Sequence, residues 1–447
     1  MVMMSLLMEA ICRKSELLVV LDLLLKVGAE SVGDGATNQD AVELLEIQTM
    51  SVNNFLTTDE KRKSTGVKHY FIVIVSVLFL SLWSCKVSDE VPRNPMSVDI
   101  AARHEISIFD IFERVELIPL ETTDESIFHR LVRLTYHDGV LYISDFTRER
   151  ILAFDLSGKF LFKIDDRGQG PQQYLHFADF EISRYNNKIL LLDPFLNSLI
   201  EYDLNGKFVR RIRLPEITNF YGSLRCLGDG IIAFWTFDDS NRLKFFDINR
   251  DSIFNEHFPT REQRTILQHF EPFAFPYANF VIREGAPSNN IYEIFPDGTY
   301  TIAYTWDFGR LNNCASIIRN LPPPVRSAAE GMALGERMRN SEFVNYYFWR
   351  IGGNQTYRYA QIIRRNQYIN LFHNIAEKHT YVFTEFSEGA TFFPLFWSDE
   401  FVIGLGPFAG YNEETIPDAI LDERNLAIKR NICEFDNPVL IKYWFRR

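Results

Sequence analysis

The sequence predicts an all-β chain folded as a β-propeller, with six four-stranded blades the count its repeats favour and seven the rival. Three observations predict it: an aromatic-rich composition, a repeat at constant spacing, and the turn chemistry inside that repeat. Aromatics make up 14% of the 447 residues, 39 of them Phe, within a 46% hydrophobic total. Strands favour such residues because they fill a pleated, half-buried surface, and this apolar fraction excludes a wholly disordered chain.

In chain order, the first distinctive element is YFIVIVSVLFLSLW at 70–83, an apolar run of 14 residues. A membrane span needs about 20, so the run suits the hydrophobic region of a signal peptide, with Lys68 and His69 ahead of it. Leu82-Trp83-Ser84-Cys85 closes the run and resembles a bacterial lipobox, which makes Cys85 the expected lipidation site, although Trp83 stands where a smaller residue is usual. Lys86-Val87-Ser88-Asp89-Glu90 follows and resembles the surface-export signal of Bacteroidetes lipoproteins. Residues 1–66 fit poorly in front of a signal peptide; they read as a misassigned upstream extension or a disordered segment, with translation beginning at Val67. The expected organisation is therefore a signal peptide at 67–85, a linker at 86–110 and the propeller at 111–447.

The repeat begins after residue 130. LYISDFTRERILAFDLSGKFLFKI (141–164) aligns without gaps to ILLLDPFLNSLIEYDLNGKFVRRI (189–212), 48 residues on. Asp145 meets Asp193, Asp155 meets Asp203, and Gly158-Lys159-Phe160 meets Gly206-Lys207-Phe208. Each unit parses into a β-run, a polar loop, a second run, a Ser-Gly or Asn-Gly turn and a third run, with a leading strand at 131–136 or 179–184. Those turn dipeptides tolerate positive φ and signal hairpins. Four antiparallel strands per 40–50 residues make a propeller blade. Degenerate copies follow at 230–254, 289–308, 367–389 and 392–407. The last is incomplete; NPVLIKYWF (437–445) supplies a strand for it, and VELIPLE (115–121) closes the ring by pairing there. A Pro322-Pro323-Pro324 stretch precedes a short helical insert at 325–340.

The repeats look like NHL-type units. Together, VELIPLETTDES, DLSGKFLFKI, RGQGPQQY and DNPVLIKYWF resemble a large group of six-bladed propeller lipoproteins of Bacteroidetes, over residues 112–447. The resemblance implies a fold and a cell-envelope location, outer membrane on its periplasmic or surface side, without a settled activity. Gln173 stands where the resemblance leads one to expect an acidic residue before Tyr174.

Function has fewer signs. The net charge of −12 carries no basic run fit to track phosphates, which argues against nucleic acid. None of the five cysteines lies in a CxxC pair, and buried free thiols are expected for most of them. Gly168-Gln169-Gly170-Pro171 lacks the spacing of a dinucleotide fingerprint, and the phosphate-loop, zincin and nucleophile-elbow motifs are absent. Adjacent Asp238 and Asp239 would point to opposite faces of a strand. In an up-and-down blade, the loop between strands two and three shares a face with the link to the next blade. Those links are long (165–177, 258–274, 308–342), so this face is the expected ligand face. Candidates on it are Asp145, Arg148, Asp193, Arg167, Gln169 and Tyr174. No cofactor is expected, calcium being the one candidate: repeated aspartates suit a cation or sugar hydroxyls, but more often such residues accept backbone N–H bonds to hold a loop. Trp235, Trp306, Trp349 and Trp397 suit sugar stacking but fit a core better. The preferred expectation is a non-catalytic, membrane-anchored propeller binding a glycan-related ligand or an envelope protein partner. The alternatives are a lactonase-, lyase- or glycosidase-like enzyme with an axial metal or carboxylate site, and a structural subunit of a larger assembly.

Overall fold

The computed structural model describes residues 94–217, 221–237, 241–259, 273, 280–282, 289–312, 329, 332–333, 336, 339–340, 342, 348–406, 416–433 and 435–446. Expectations about 1–66, the signal peptide, Cys85, Pro322–Pro324, Asp238, Asp239 and Cys314 lie outside these residues, as does the side chain of Trp349.

Six sheets of four strands form the described ring. The chain enters through β1 (Pro95–Ser97), a one-turn helix α1 (Ile108–Ile111) and β2 (Phe112–Ile118). Blade one follows as β3 (Leu131–His137), β4 (Val140–Asp145), β5 (Arg150–Asp155) and β6 (Phe160–Ile164). Blade two is β7 (Asp179–Ser183), β8 (Lys188–Asp193), β9 (Ser198–Asp203) and β10 (Phe208–Arg213). Blade three is β11 (Tyr221–Gly228), β12 (Ile231–Thr236), β13 (Asn241–Asp247) and β14 (Ser252–Pro259). The fourth sheet joins β15 (Phe280–Ile282), β16 (Asn290–Ile294) and β17 (Tyr300–Asp307) to β1. Blade five is β18 (Phe348–Gly353), β19 (Tyr357–Arg364), β20 (Gln367–Asn374) and β21 (His379–Phe383). Blade six takes β22 (Pro394–Trp397), β23 (Phe401–Leu405) and β24 (Leu440–Phe445) from one end of the chain and β2 from the other.

The matched repeat residues build one turn twice. The Asp155 carboxylate accepts the backbone N–H groups of Ser157 (2.8 Å) and Lys159 (3.0 Å), and Asp203 does the same for Asn205 and Lys207 (both 2.9 Å). Gly158 and Gly206 sit at φ +86° and +78°, where side chains are disfavoured. They also press on the preceding blade: a Cβ on Gly158 would lie 1.9 Å from the Pro119 carbonyl oxygen, and one on Gly206 2.7 Å from the Phe162 ring. The conserved spacing of Asp and Gly within the repeat is thus a turn requirement and an inter-blade packing requirement at once.

Closure follows the expected route. β2 pairs antiparallel with β24, Val115 opposite Tyr443, and buries Phe112, Val115, Leu117 and Ile118. Each such side chain contributes about 1.5–3 kcal/mol when buried. The outer edge of β2 is covered by the helix α2 (Glu423–Arg430), whose Asn425 amide accepts from Leu117 N–H (2.8 Å) and donates to Val115 O (3.3 Å). That amide stands in for a neighbouring strand and blunts the edge. Within the stretch 86–110, expected to be a linker, residues 95–97 form β1 and 108–110 begin α1. β1 pairs parallel with β17, Met96 opposite Trp306, because Met96, Val98 and Ile100 find an apolar seam against blades four and five.

Aromatic residues fill the wedge between blades. Phe112, Phe372, Phe392, Trp397 and Tyr443 form one such cluster between blades five and six, with ring centroids such as Phe112–Tyr443 5.2 Å apart. Trp235, Trp306 and Trp397 are all buried, the core role rather than the stacking role. In the expected helical insert, the described residues Ala329, Met332, Ala333, Glu336 and Arg339 are helical. Cys226 is a buried free thiol and Cys433 an exposed one.

Candidate functional site at the junction of blades one and two

The loop-rich face is built where the β4–β5 turn meets the link leaving β6. Asp145 ends β4 and is wholly buried; it accepts from the Arg150 Nε (3.2 Å), and the same guanidinium donates to the carbonyls of Glu125 (3.2 Å) and Ile127. Asp193, its counterpart in blade two, is also wholly buried and accepts the N–H groups of Leu175 (2.7 Å), Phe195 (3.0 Å) and Leu196 (3.1 Å). Asp193 thus holds a loop directly, Asp145 pairs with Arg150, and both carboxylates are shut off from solvent. Tyr174 is buried too, its hydroxyl donating to Glu149 O (2.6 Å), and burial pushes its phenol far above the ordinary value. It ties down the Gly-Gln-Gly-Pro loop, whose Gly168 N–H reaches Tyr174 O (2.9 Å). Gln173 does by amide what a carboxylate would do there: its Oε1 accepts from Gly170 N–H (2.8 Å). Of the sequence candidates, Arg167 and Gln169 are exposed and Arg148 half-buried.

Three residues that sequence reasoning missed complete the site. Glu149 places its carboxylate 2.5 Å from His176 Nδ1 and 3.2 Å from Arg167 Nε. The His176 ring stacks on Phe195 at 4.8 Å and 22°, and Phe195 is 69% exposed. Glu149 occupies the left-handed region at φ 52°, and Asn197, its partner in the repeat, does so at φ 43°. Asn tolerates that conformation and Glu does so less readily. A glutamate in an asparagine's turn position is the signal that was legible in the aligned repeats. Nearby, Phe146 is 40% exposed, with the Arg130 guanidinium 5.1 Å from its ring centre. The result is a rim of open aromatic faces beside charges held in place by one another.

On the axis, innermost strands of three blades contribute a charged cluster. Arg133 reaches Asp179 (2.5 Å) and Glu181 (3.3 Å), Arg225 lies 3.5 Å from Glu181, and Leu224 N–H donates to Asp179 (3.0 Å). Burial pulls Arg225 below its ordinary value, with the charge of Glu181 opposing that, and burial pushes the neighbouring Cys226 thiol well up. Each acid is matched by an arginine from an adjacent blade, so the cluster ties blades one to three together. Among the described residues, no group of three or more His, Cys, Asp or Glu is placed to hold a metal ion.

A family model described as a domain of unknown function, DUF4934, matches residues 94–443. The chain belongs to the DUF4934 family. The DUF4934 match starts beside β1 and ends within β24, so the family unit includes both closing strands and begins ahead of residue 111. Among solved structures, a protein of Bacteroides fragilis described as exported aligns with a TM-score of 0.60 at 14% identity, covering 79% of this chain and 100% of that one. A DUF4221 family member from Bacteroides vulgatus aligns at 0.46 and 12% identity over 77% of this chain and 99% of that one. Virginiamycin B lyase from Staphylococcus aureus aligns at 0.32 and 12%, over 61% and 74%. At these identities the likeness shows the fold alone. No curated protein matches the chain. Among the described residues, no helix is long and apolar enough to cross a membrane.

Proposed function

We propose that this DUF4934 protein is a cell-envelope lipoprotein, anchored through Cys85, whose propeller binds a ligand or protein partner at its loop-rich face without chemistry of its own. The observation that carries the reading is Glu149: a left-handed glutamate whose carboxylate holds His176 and Arg167 beside the exposed Phe195 ring. Unfavourable backbone conformations persist where surrounding structure over-determines them, and they cluster at functional sites. A glycan is the ligand class that open rings flanked by fixed charges fit best, the apolar face of a sugar lying on Phe195 with Arg167 and Gln169 at its edge. Loops on a rigid scaffold are the usual place for such binding.

The test is a binding panel of envelope glycans and envelope protein fractions, read with the unaltered chain, with F195A plus R167A, and with K159A on the opposite face. Loss of binding in the double variant alone supports the reading; equal binding by all three, or none by the unaltered chain, overturns it. Anchoring is tested separately, by incorporation of a labelled fatty acid that C85S abolishes.

A further inference from the structure

Ahead of β2 the chain runs as a strap along the outer rim, from blade four across blade five to blade six. Val98 N–H bonds Asp307 O (2.8 Å), Ser387 N–H bonds Ile106 O (2.9 Å), and Glu388 accepts from Ile108 N–H (3.1 Å). Ile100 and Ile106 are buried on either side of one polar contact, at His104. There His104 N–H donates to Val382 O (2.9 Å), and Val382 N–H donates to the His104 imidazole Nδ1 (2.9 Å). A side-chain nitrogen has replaced the carbonyl that would normally complete the pairing. Only a neutral imidazole with a lone pair on Nδ1 accepts this bond. Val382 is buried, so its amide has no water to turn to if the acceptor is lost.

The groups around His104 come from several elements. On β21, the His379 ring lies 5.4 Å away and the Tyr381 ring 6.1 Å. Beyond those rings, Glu377 in the turn before β21 and Asp110 on α1 act on Tyr381, and Arg358 on β19 and His379 act on His373 of β20. Arg103 adjoins His104 in the strap and donates to Ile100 O. In the strap itself His104 is flanked by one base and one acid, Arg103 and Glu105.

We propose that the strap is an acid-released latch: protonation of His104 frees the chain between β1 and α1 from blade five, while β2 keeps the ring closed. Release uncovers the outer edge of β21, which then offers unpaired backbone groups to another strand. Because the Val382 N–H bond needs an unprotonated Nδ1, the open state binds one proton more than the closed one, so closure is stronger at high pH and weaker at low pH.

The test is hydrogen exchange on the full chain, reading the protection factor of the Val382 amide between about pH 7.5 and pH 5. One coupled proton predicts a loss of protection of up to ~10-fold per pH unit. H104Q keeps an uncharged acceptor and should flatten that dependence, while H379Q should leave it in place. Protection that does not change with pH in the unaltered chain, or the same dependence in H104Q, overturns the latch.

Discussion

At the scale of single residues, repetition in this sequence marks structure and departure from repetition marks the candidate site. Asp145 and Asp193 drew attention because they recur, and both are buried, Asp193 as a loop holder and Asp145 as the partner of Arg150. Removing the Asp193 carboxylate orphans three N–H groups, so D193A is expected to destabilise the fold by about 2–4 kcal/mol in chemical denaturation. D145A removes the closer of the two carboxylates beside the Arg150 guanidinium, only 2% exposed, and leaves it the longer Asp165 contact at 3.9 Å, a loss of about 3 kcal/mol. F195A should leave stability within about 0.5 kcal/mol, as expected of an exposed side chain, while lowering binding. Glu149 was harder to single out, because its importance lies in a backbone angle and in partners, His176 and Phe195, that come from the following link and the next blade. No local pattern joins those positions; only the ring does.

Elements were more legible than sites. The third-to-fourth-strand turn was readable from Asp, Gly and Lys at fixed spacing, since φ and hydrogen-bonding needs are local. Its inter-blade contact was not. That contact makes G158A a severe change: it adds a Cβ at φ +86° and 1.9 Å from a backbone oxygen, which should cost at least about 1–3 kcal/mol. β1 escaped notice because three residues, Pro-Met-Ser, carry no alternation, and it gains its partner only through the neighbouring apolar seam. α1 is held by Glu388, which receives the Ser107 hydroxyl and the Ile108 amide. Burial acts to raise this carboxyl, but those hydrogen bonds together hold it below its ordinary range near 4.5. A depressed folded-state value stabilises the fold above the unfolded value, and that contribution disappears as pH falls through the folded one. Stability measured from about pH 6 downward should therefore fall less steeply in E388Q than in the unaltered chain.

At the scale of the whole molecule, blade count and closure followed from the repeat because a lone four-stranded sheet cannot cover both its faces. The two ends of the propeller meet in one sheet, β2 against β24, so neither is dispensable. Deleting residues 437–447 should abolish the cooperative thermal transition, whereas deleting 95–97 should lower its midpoint and keep it cooperative. Binding at the loop-rich face is tested most directly by cross-linking. A photoreactive phenylalanine analogue placed at position 195, and in a second sample at the exposed outer-edge position 161, would be activated in intact cells that express the protein natively. The expected result is a discrete cross-linked species from position 195 that disappears when Arg167 is changed to Ala, and none from position 161. Cross-linking from 161 alone, or from neither, would contradict it.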